Sequence, residues 1–274
     1  MVARQRTTNA SFEGAFGHWF VLVALLAMLA VNLLASWLPL NGQTTAELAA
    51  RFSERFRPAD YTFAIWLPIY AGLLAYAVFQ ALPSQRDNPR LAAIRSPFML
   101  SCGANMAWIF CWHYQLIGAS MLAMLALLVA LISINQRLHW GNGEQPLAEL
   151  WCVEAPFRMY LAWISVASLA NLSAWVEAQA LLPVGMSGSS FAVGLVLFAT
   201  LISALVGWLR HDALYLAVVA WAFIGIVVRN GASSAVSGVA MGGVLIMGAL
   251  ILSALAWNRR HGAEPPFHSA GTAI

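Results

Sequence analysis

Tyr160-Leu161-Ala162-Trp163-Ile164-Ser165-Val166-Ala167-Ser168-Leu169-Ala170-Asn171-Leu172-Ser173-Ala174-Trp175 runs for sixteen residues without a charge. At about 1.5 Å per residue it covers more than four helical turns, most of the thickness of a bilayer's hydrocarbon core. Tyr160, Trp163, Ala167, Asn171 and Trp175 recur three or four residues apart and form a slowly drifting stripe on one face. Two shorter stretches repeat the pattern. In Trp66-Leu67-Pro68-Ile69-Tyr70 the two aromatics stand one turn apart, and Pro68 between them removes a backbone donor and is a candidate kink. In Asn105-Met106-Ala107-Trp108 the polar pair is continued by Trp112. Side chains with N–H, O–H or amide groups in lipid need a partner. Their concentration on single faces of three apolar helices suggests an enclosed aromatic-lined cavity suited to a flat, largely apolar ligand. Ala167, between the bulky members of its stripe, leaves a gap where a planar ring could lie. By spacing alone, interhelical packing accounts for the same pattern, with Asn105 and Asn171 as hydrogen-bonding glue and the Trp rings as filler. Trp175, near a helix end, fits an interfacial belt best.

Outward from these stretches the chain stays apolar. It is 61% hydrophobic and 9% charged, with a mean hydropathy of +0.74, whereas about a quarter of the residues in soluble domains are charged. The expected fold class is an all-α integral membrane protein. Eight apolar runs are long enough to span, near 17–38, 60–82, 95–112, 116–136, 156–176, 189–209, 212–228 and 237–257. The first is long for a signal-peptide core and is read as a retained helix. All fourteen basic residues are Arg. With eight spans and the N-terminus inside, Arg4, Arg6, Arg86, Arg90, Arg95, Arg137, Arg158, Arg210, Arg259 and Arg260 fall on the inner side. Arg51, Arg55, Arg57 and Arg229 fall outside, and this asymmetry places both termini in the cytoplasm. The net charge of +3 is therefore a topology signal, with no nucleic-acid partner implied; membrane lipid is the expected surrounding.

Residues 1–16 read as a mobile polar cytoplasmic lead and 259–274 as a cytoplasmic tail. Between the first two spans, Thr44 to Phe56 carries Ala, Leu and Phe at helical spacing, and Thr44 with Glu47 fits a capping box. A short amphipathic helix is expected over the outer end of the bundle, either as a lid or as a plain interfacial anchor. The last three spans change character, being rich in Gly, Ala, Ser and Val. Gly238-x-x-x-Gly242, continued by Gly243 and Gly248, offers a small-residue face for packing within the chain or for a homodimer contact.

The three stretches together resemble the tryptophan-rich sensory protein and mitochondrial translocator protein family (TspO, the peripheral benzodiazepine receptor family). That family has a WxxxY element in helix two, N-x-x-W in helix three and a YLAW…A…N…W run in helix five. They are matched in order by Trp66/Tyr70, Asn105/Trp108 and Tyr160 to Trp175. The resemblance covers 17–177 and implies a five-helix translocator-like bundle, with the loop 39–59 containing its lid (44–57). Residues 178–258 would be three additional transmembrane helices, as in long bacterial members. Family members bind porphyrins, sterols and aromatic drugs between the helices. By resemblance Trp66, Tyr70, Asn105, Trp108, Trp163, Ala167 and Asn171 would line such a pocket. The chain departs from the family at Pro58-Ala59-Asp60-Tyr61, where paired prolines are expected, at Pro156 to Tyr160, and at Ile109 to His113.

The expected function is a receptor or carrier for a hydrophobic planar small molecule, with a tetrapyrrole the first candidate ligand. No covalent cofactor, metal or catalytic residue is implied. A secondary transporter of a small metabolite is the alternative, and a porphyrin-degrading enzyme a third reading. The expected location is the bacterial inner membrane. His113 at the end of span three is read as an interfacial histidine exposed to water, Glu154 with Arg158 as an i,i+4 anchor pair, and His211-Asp212 as a solvated turn.

Overall fold

The computed structural model describes residues 2–38, 40–43, 45, 47, 48, 55–139 and 145–261. Among these, no strand occurs and eight long helices carry the architecture: α1 (Val2–Trp37), α2 (Trp66–Ala81), α3 (Pro89–His113), α4 (Ile117–His139), α5 (Ala155–Ala178), α6 (Gly188–Arg210), α7 (Ala213–Asn230) and α8 (Ala235–His261). Each expected span falls within one of these helices to within a few residues, except that the second begins in the 3-10 turn Asp60–Ile65, which feeds directly into α2. Two local readings change. The polar lead is not separate from the first span, because α1 is helical from Val2. Pro68 lies in the first turn of α2, where its missing N–H costs little, and so it starts the helix without kinking its middle. Most of the expected amphipathic helix over 44–56 lies outside the described residues.

Seven of the helical segments are long and apolar enough to cross a membrane. The exception, α3, is lowered in hydropathy by polar side chains that face inward, namely Arg95, Ser101, Asn105 and His113, all buried. It nevertheless runs between the same two ends of the bundle as its neighbours. At its start Arg90 pairs with Glu149 and Glu154, and at its finish the His113 carbonyl accepts from Asn41 Nδ2. Twenty-five residues at about 1.5 Å each match the length of a full crossing.

The first five helices close into a ring. α1 packs on α3, α3 on α4, α4 on α5, α5 on α2, and α2 returns to α1. The inward stripe of α1 shows why: Val21, Leu25, Met28 and Ala35 are fully buried at spacings of four, three and seven. Toward the Arg90 end the ring is filled by Tyr76, Phe98 and Phe157, packed edge to face with centroids 5.0–5.7 Å apart. α2 and α5 touch at Gly72, where an added Cβ would stand 2.6 Å from Pro156 Cγ.

The last three helices form a group of their own, α8 packing on α6 and α7, and α7 docks on α5 and on the turn before α2. The small-residue face of α8 is used at one position only. Gly243 meets Phe223 and Thr200, whereas Gly238, Gly242 and Gly248 have nothing within 4 Å of where a Cβ would stand.

The Arg90 end is held by ions. Glu154 bridges Arg90 and Arg158, Glu149 pairs with Arg90, and Arg158 Nε stands 3.7 Å from Asp212 Oδ2. A wide π turn, Leu150–Glu154, leads into α5, and both Glu149 and Glu154 are buried there. Asp212 does not read as solvated: its side chain is largely buried, and it caps α7 by accepting from Tyr215 N.

Candidate functional site

Toward the His113 end, the ring of five helices is lined with the residues singled out by their spacing. Trp66 is at their centre. It stacks on Tyr70 (centroids 5.1 Å, 22°) and meets Tyr160 and Trp163 edge-on at 5.7 and 6.2 Å. Phe63, in the 3-10 turn before α2, is edge-on to Trp163 at 5.8 Å. On α3, Trp108 stacks against Trp112 at 5.9 Å.

Two hydrogen-bonded chains satisfy the polar groups. In the first, Tyr70 Oη donates to Asn32 Oδ1 (3.0 Å) and Asn32 Nδ2 donates to Asn105 Oδ1 (2.7 Å). Asn105 Nδ2 in turn donates to Tyr160 Oη (3.0 Å). This chain crosses α2, α1, α3 and α5 and fixes the rotation of each about its axis. In the second, Trp108 Nε1 donates to Asn171 Oδ1 (2.9 Å) and Asn171 Nδ2 donates to Ser120 Oγ (3.2 Å), joining α3, α5 and α4. The glue role of both asparagines is therefore real, and it leaves their neighbouring aromatic faces free to border space.

That space has two compartments. An inner cavity of about 80 Å³ is bordered by Trp66, Asn105, Trp108, Trp163, Ala167 and Asn171 among others, including Arg57. A groove of about 670 Å³ lies between α1, α2 and α3, with Asn32 and Tyr70 among its polar lining and Leu33 and Leu67 on its lipid side. Thr45, Phe63, Trp66 and Trp108 border both, so these side chains are the partition. All seven residues named from the sequence thus border one compartment or the other, and Ala167 borders the inner cavity, which is too small for a planar ring system. Trp175, the outlying member of the stripe, borders neither.

The sequence reading missed Asn32, Thr45, Arg57 and Phe63. Asn32 was detectable, since a lone Asn in an apolar span needs a partner as much as Asn105 does. His113 is a correction: it is buried, not exposed to water. Its Nδ1 lies 3.2 Å from the Leu40 carbonyl and its Nε2 2.8 Å from Thr45 Oγ1. A carbonyl can only accept, so Nδ1 carries the proton, and in the neutral ring Nε2 accepts from Thr45. The loop after α1 folds back over the helix end and excludes water from it. Within that loop, Leu48 is buried against Trp112, Ile117 and Ala174.

Arg57 lies just before the 3-10 turn, 4% exposed, and pairs with Asp60, whose side chain is 70% exposed. Burial pulls its guanidinium below the ordinary range, the nearby charge of Arg229 adds to that, and Asp60 opposes it. The covering segment is tied to the last helices. Ala59 N donates to the Gly225 carbonyl (3.0 Å), Trp221 Nε1 to the Thr62 carbonyl (3.0 Å), and Asn230 Nδ2 to the Arg55 carbonyl (2.9 Å).

The family model for TSPO-like proteins matches residues 18–255, from the start of the first span into the last helix. The chain belongs to the TSPO-like protein family. Membership places it among multi-pass membrane proteins of ligand-binding or transport type. The match extends through α6, α7 and α8, which pack onto the five-helix ring as described. Neither a curated protein nor a solved structure matches the chain.

Proposed function

We propose that this TSPO-like protein is a receptor or carrier for a hydrophobic planar small molecule, with a tetrapyrrole as the first candidate, held by non-covalent contacts alone. The observation that carries this reading is the convergence of Trp66, Trp108 and Trp163 on two adjoining compartments whose Asn105, Tyr70 and Asn171 side chains are already hydrogen-bonded. Aromatic walls with few oriented polar groups suit a flat ring by stacking and edge contacts. Small-molecule sites fall at about 300–1,000 Å³, the scale of the groove and not of the inner cavity. The ring system therefore occupies the groove, against Trp66 and Tyr70, and only a side chain of the ligand passes the partition inward. Leu33 and Leu67, both exposed toward lipid, mark the side from which a membrane-dissolved ligand enters. Both termini face the cytoplasm of a bacterial inner membrane on this account, with the His113 end outside.

The test is purification from a porphyrin-producing host, followed by absorbance and mass spectrometry of whatever co-purifies. A tetrapyrrole retained near one per chain, and displaced with recovery of Trp fluorescence, is the expected result. A preparation free of tetrapyrrole, with Trp emission unchanged on adding one, contradicts the tetrapyrrole reading.

A further inference from the structure

Among the described residues, Nε of Arg57, a residue bordering the inner cavity, is buried without a hydrogen-bond partner. Arg90 and Arg158, whose Nε atoms are in the same condition, each bind buried carboxylates through their other nitrogens. Arg57 does not. Among the described residues its acidic partner is Asp60, which is mostly in water, and the cation Arg229 also acts on it. A guanidinium offers five N–H donors in a planar fork, and a buried one left partly unmatched calls for an acceptor. The lining of the inner cavity thus includes a buried guanidinium whose counter-charge lies mostly in water.

We infer that the site selects acids: a flat apolar ring bearing a short side chain that ends in a carboxylate, which passes the Trp66–Trp108 partition and is bound by Arg57. This rests on the reading of the two compartments as a ligand site, and it adds the chemical class of the ligand and the residue that reads it. The size of the inner cavity agrees, since about 80 Å³ admits a short acidic chain and no ring system. The Ala59–Gly225 and Asn230–Arg55 hydrogen bonds flank Arg57 on both sides and hold its backbone in place. A fixed guanidinium fork loses less freedom on meeting a carboxylate than a mobile one.

The test compares 1-pyrenebutyrate with its uncharged methyl ester, titrated against the full-length protein in nanodiscs and corrected for partition into protein-free nanodiscs. Energy transfer from Trp to pyrene reports binding. The acid is expected to bind at least about tenfold more tightly than the ester, the scale of one charge-assisted hydrogen bond. Arg57→Gln should abolish that preference, while Arg57→Lys should keep part of it. Equal binding of acid and ester by the native protein, or a preference that survives in R57Q, overturns the inference while leaving the ligand site standing. Binding of neither probe overturns the site and the inference together. Should R57Q fail to fold, the acid–ester comparison in the native protein and in R57K decides the matter.

Discussion

The backbone N–H of Ala59 donates to the carbonyl of Gly225 at 3.0 Å, joining the segment that covers the pocket to the middle helix of the last three. A helical carbonyl can take this extra donor because Gly225 has no side chain. A Cβ there would stand 2.2 Å from Thr62 Cγ2 and 2.9 Å from Pro58 Cβ. The last three helices therefore position Arg57, Pro58 and Phe63, which border the cavity. That gives them a role in the site as well as in the fold.

Gly225→Leu should force the covering segment away from α7. Overfilling a close contact costs about 1–3 kcal/mol, so thermal unfolding should occur at lower temperature, and pocket probes should bind more weakly in the protein that remains folded. Unchanged stability and unchanged binding would show that the contact is incidental.

The chain from Tyr70 through Asn32 and Asn105 to Tyr160 makes a second prediction. In a double-mutant cycle, Asn32→Ala and Asn105→Ala should be coupled by about 0.6 kcal/mol, up to about 1.7, the range measured for polar contacts between membrane helices. Additive effects on unfolding in nanodiscs would mean that the two amides do not act together.

At the other end, Glu154 is shared by Arg90 and Arg158 and is buried. Glu154→Gln removes a buried carboxylate shared by two part-buried guanidiniums, and breaking a buried pair costs about 3–5 kcal/mol. Unfolding measured against a denaturant should show a loss of that size. A loss near that of an exposed pair, up to about 1 kcal/mol, would mean the cluster is solvated.

Much of this was legible because a helix turns spacing into direction. Trp66/Tyr70, Asn105/Trp108 and Trp163/Ala167/Asn171 face one space for the reason their spacing gave. His113 was misjudged because a histidine at the end of a span is buried only when a remote segment returns over it, here Leu40 and Thr45. Arg57 was counted only as one positive charge in an outer loop. Its burial comes from α7, some 170 positions later in the chain, and no local pattern carries that. The stripe of Gly on α8 shows the converse limit, since spacing names a face without naming what lies against it, and Gly243 alone of that stripe is in close contact.

Orientation can be read by labelling. With Cys102, Cys111 and Cys152 replaced, a cysteine at Ser233, between α7 and α8, should react with an impermeant thiol reagent added to intact cells. One at Ser84, between α2 and α3, should react only after permeabilisation; both positions are exposed. The opposite pattern would invert the protein in the membrane, and labelling of both from outside would break the eight-pass count.

The central claim, a ligand site between the helices, is tested most directly at Ala167, which borders the inner cavity and is not part of either hydrogen-bonded chain. Titrating protoporphyrin against native protein and Ala167→Leu, with Trp quenching as the signal and thermal unfolding measured alongside, separates filling the cavity from damaging the fold. The account predicts at least several-fold weaker binding with stability nearly unchanged, because the added side chain enters open space. Stability lowered by about 1–3 kcal/mol, with binding per folded molecule unaffected, would mean that Ala167 packs against a neighbouring helix and that the aromatic stripe is core.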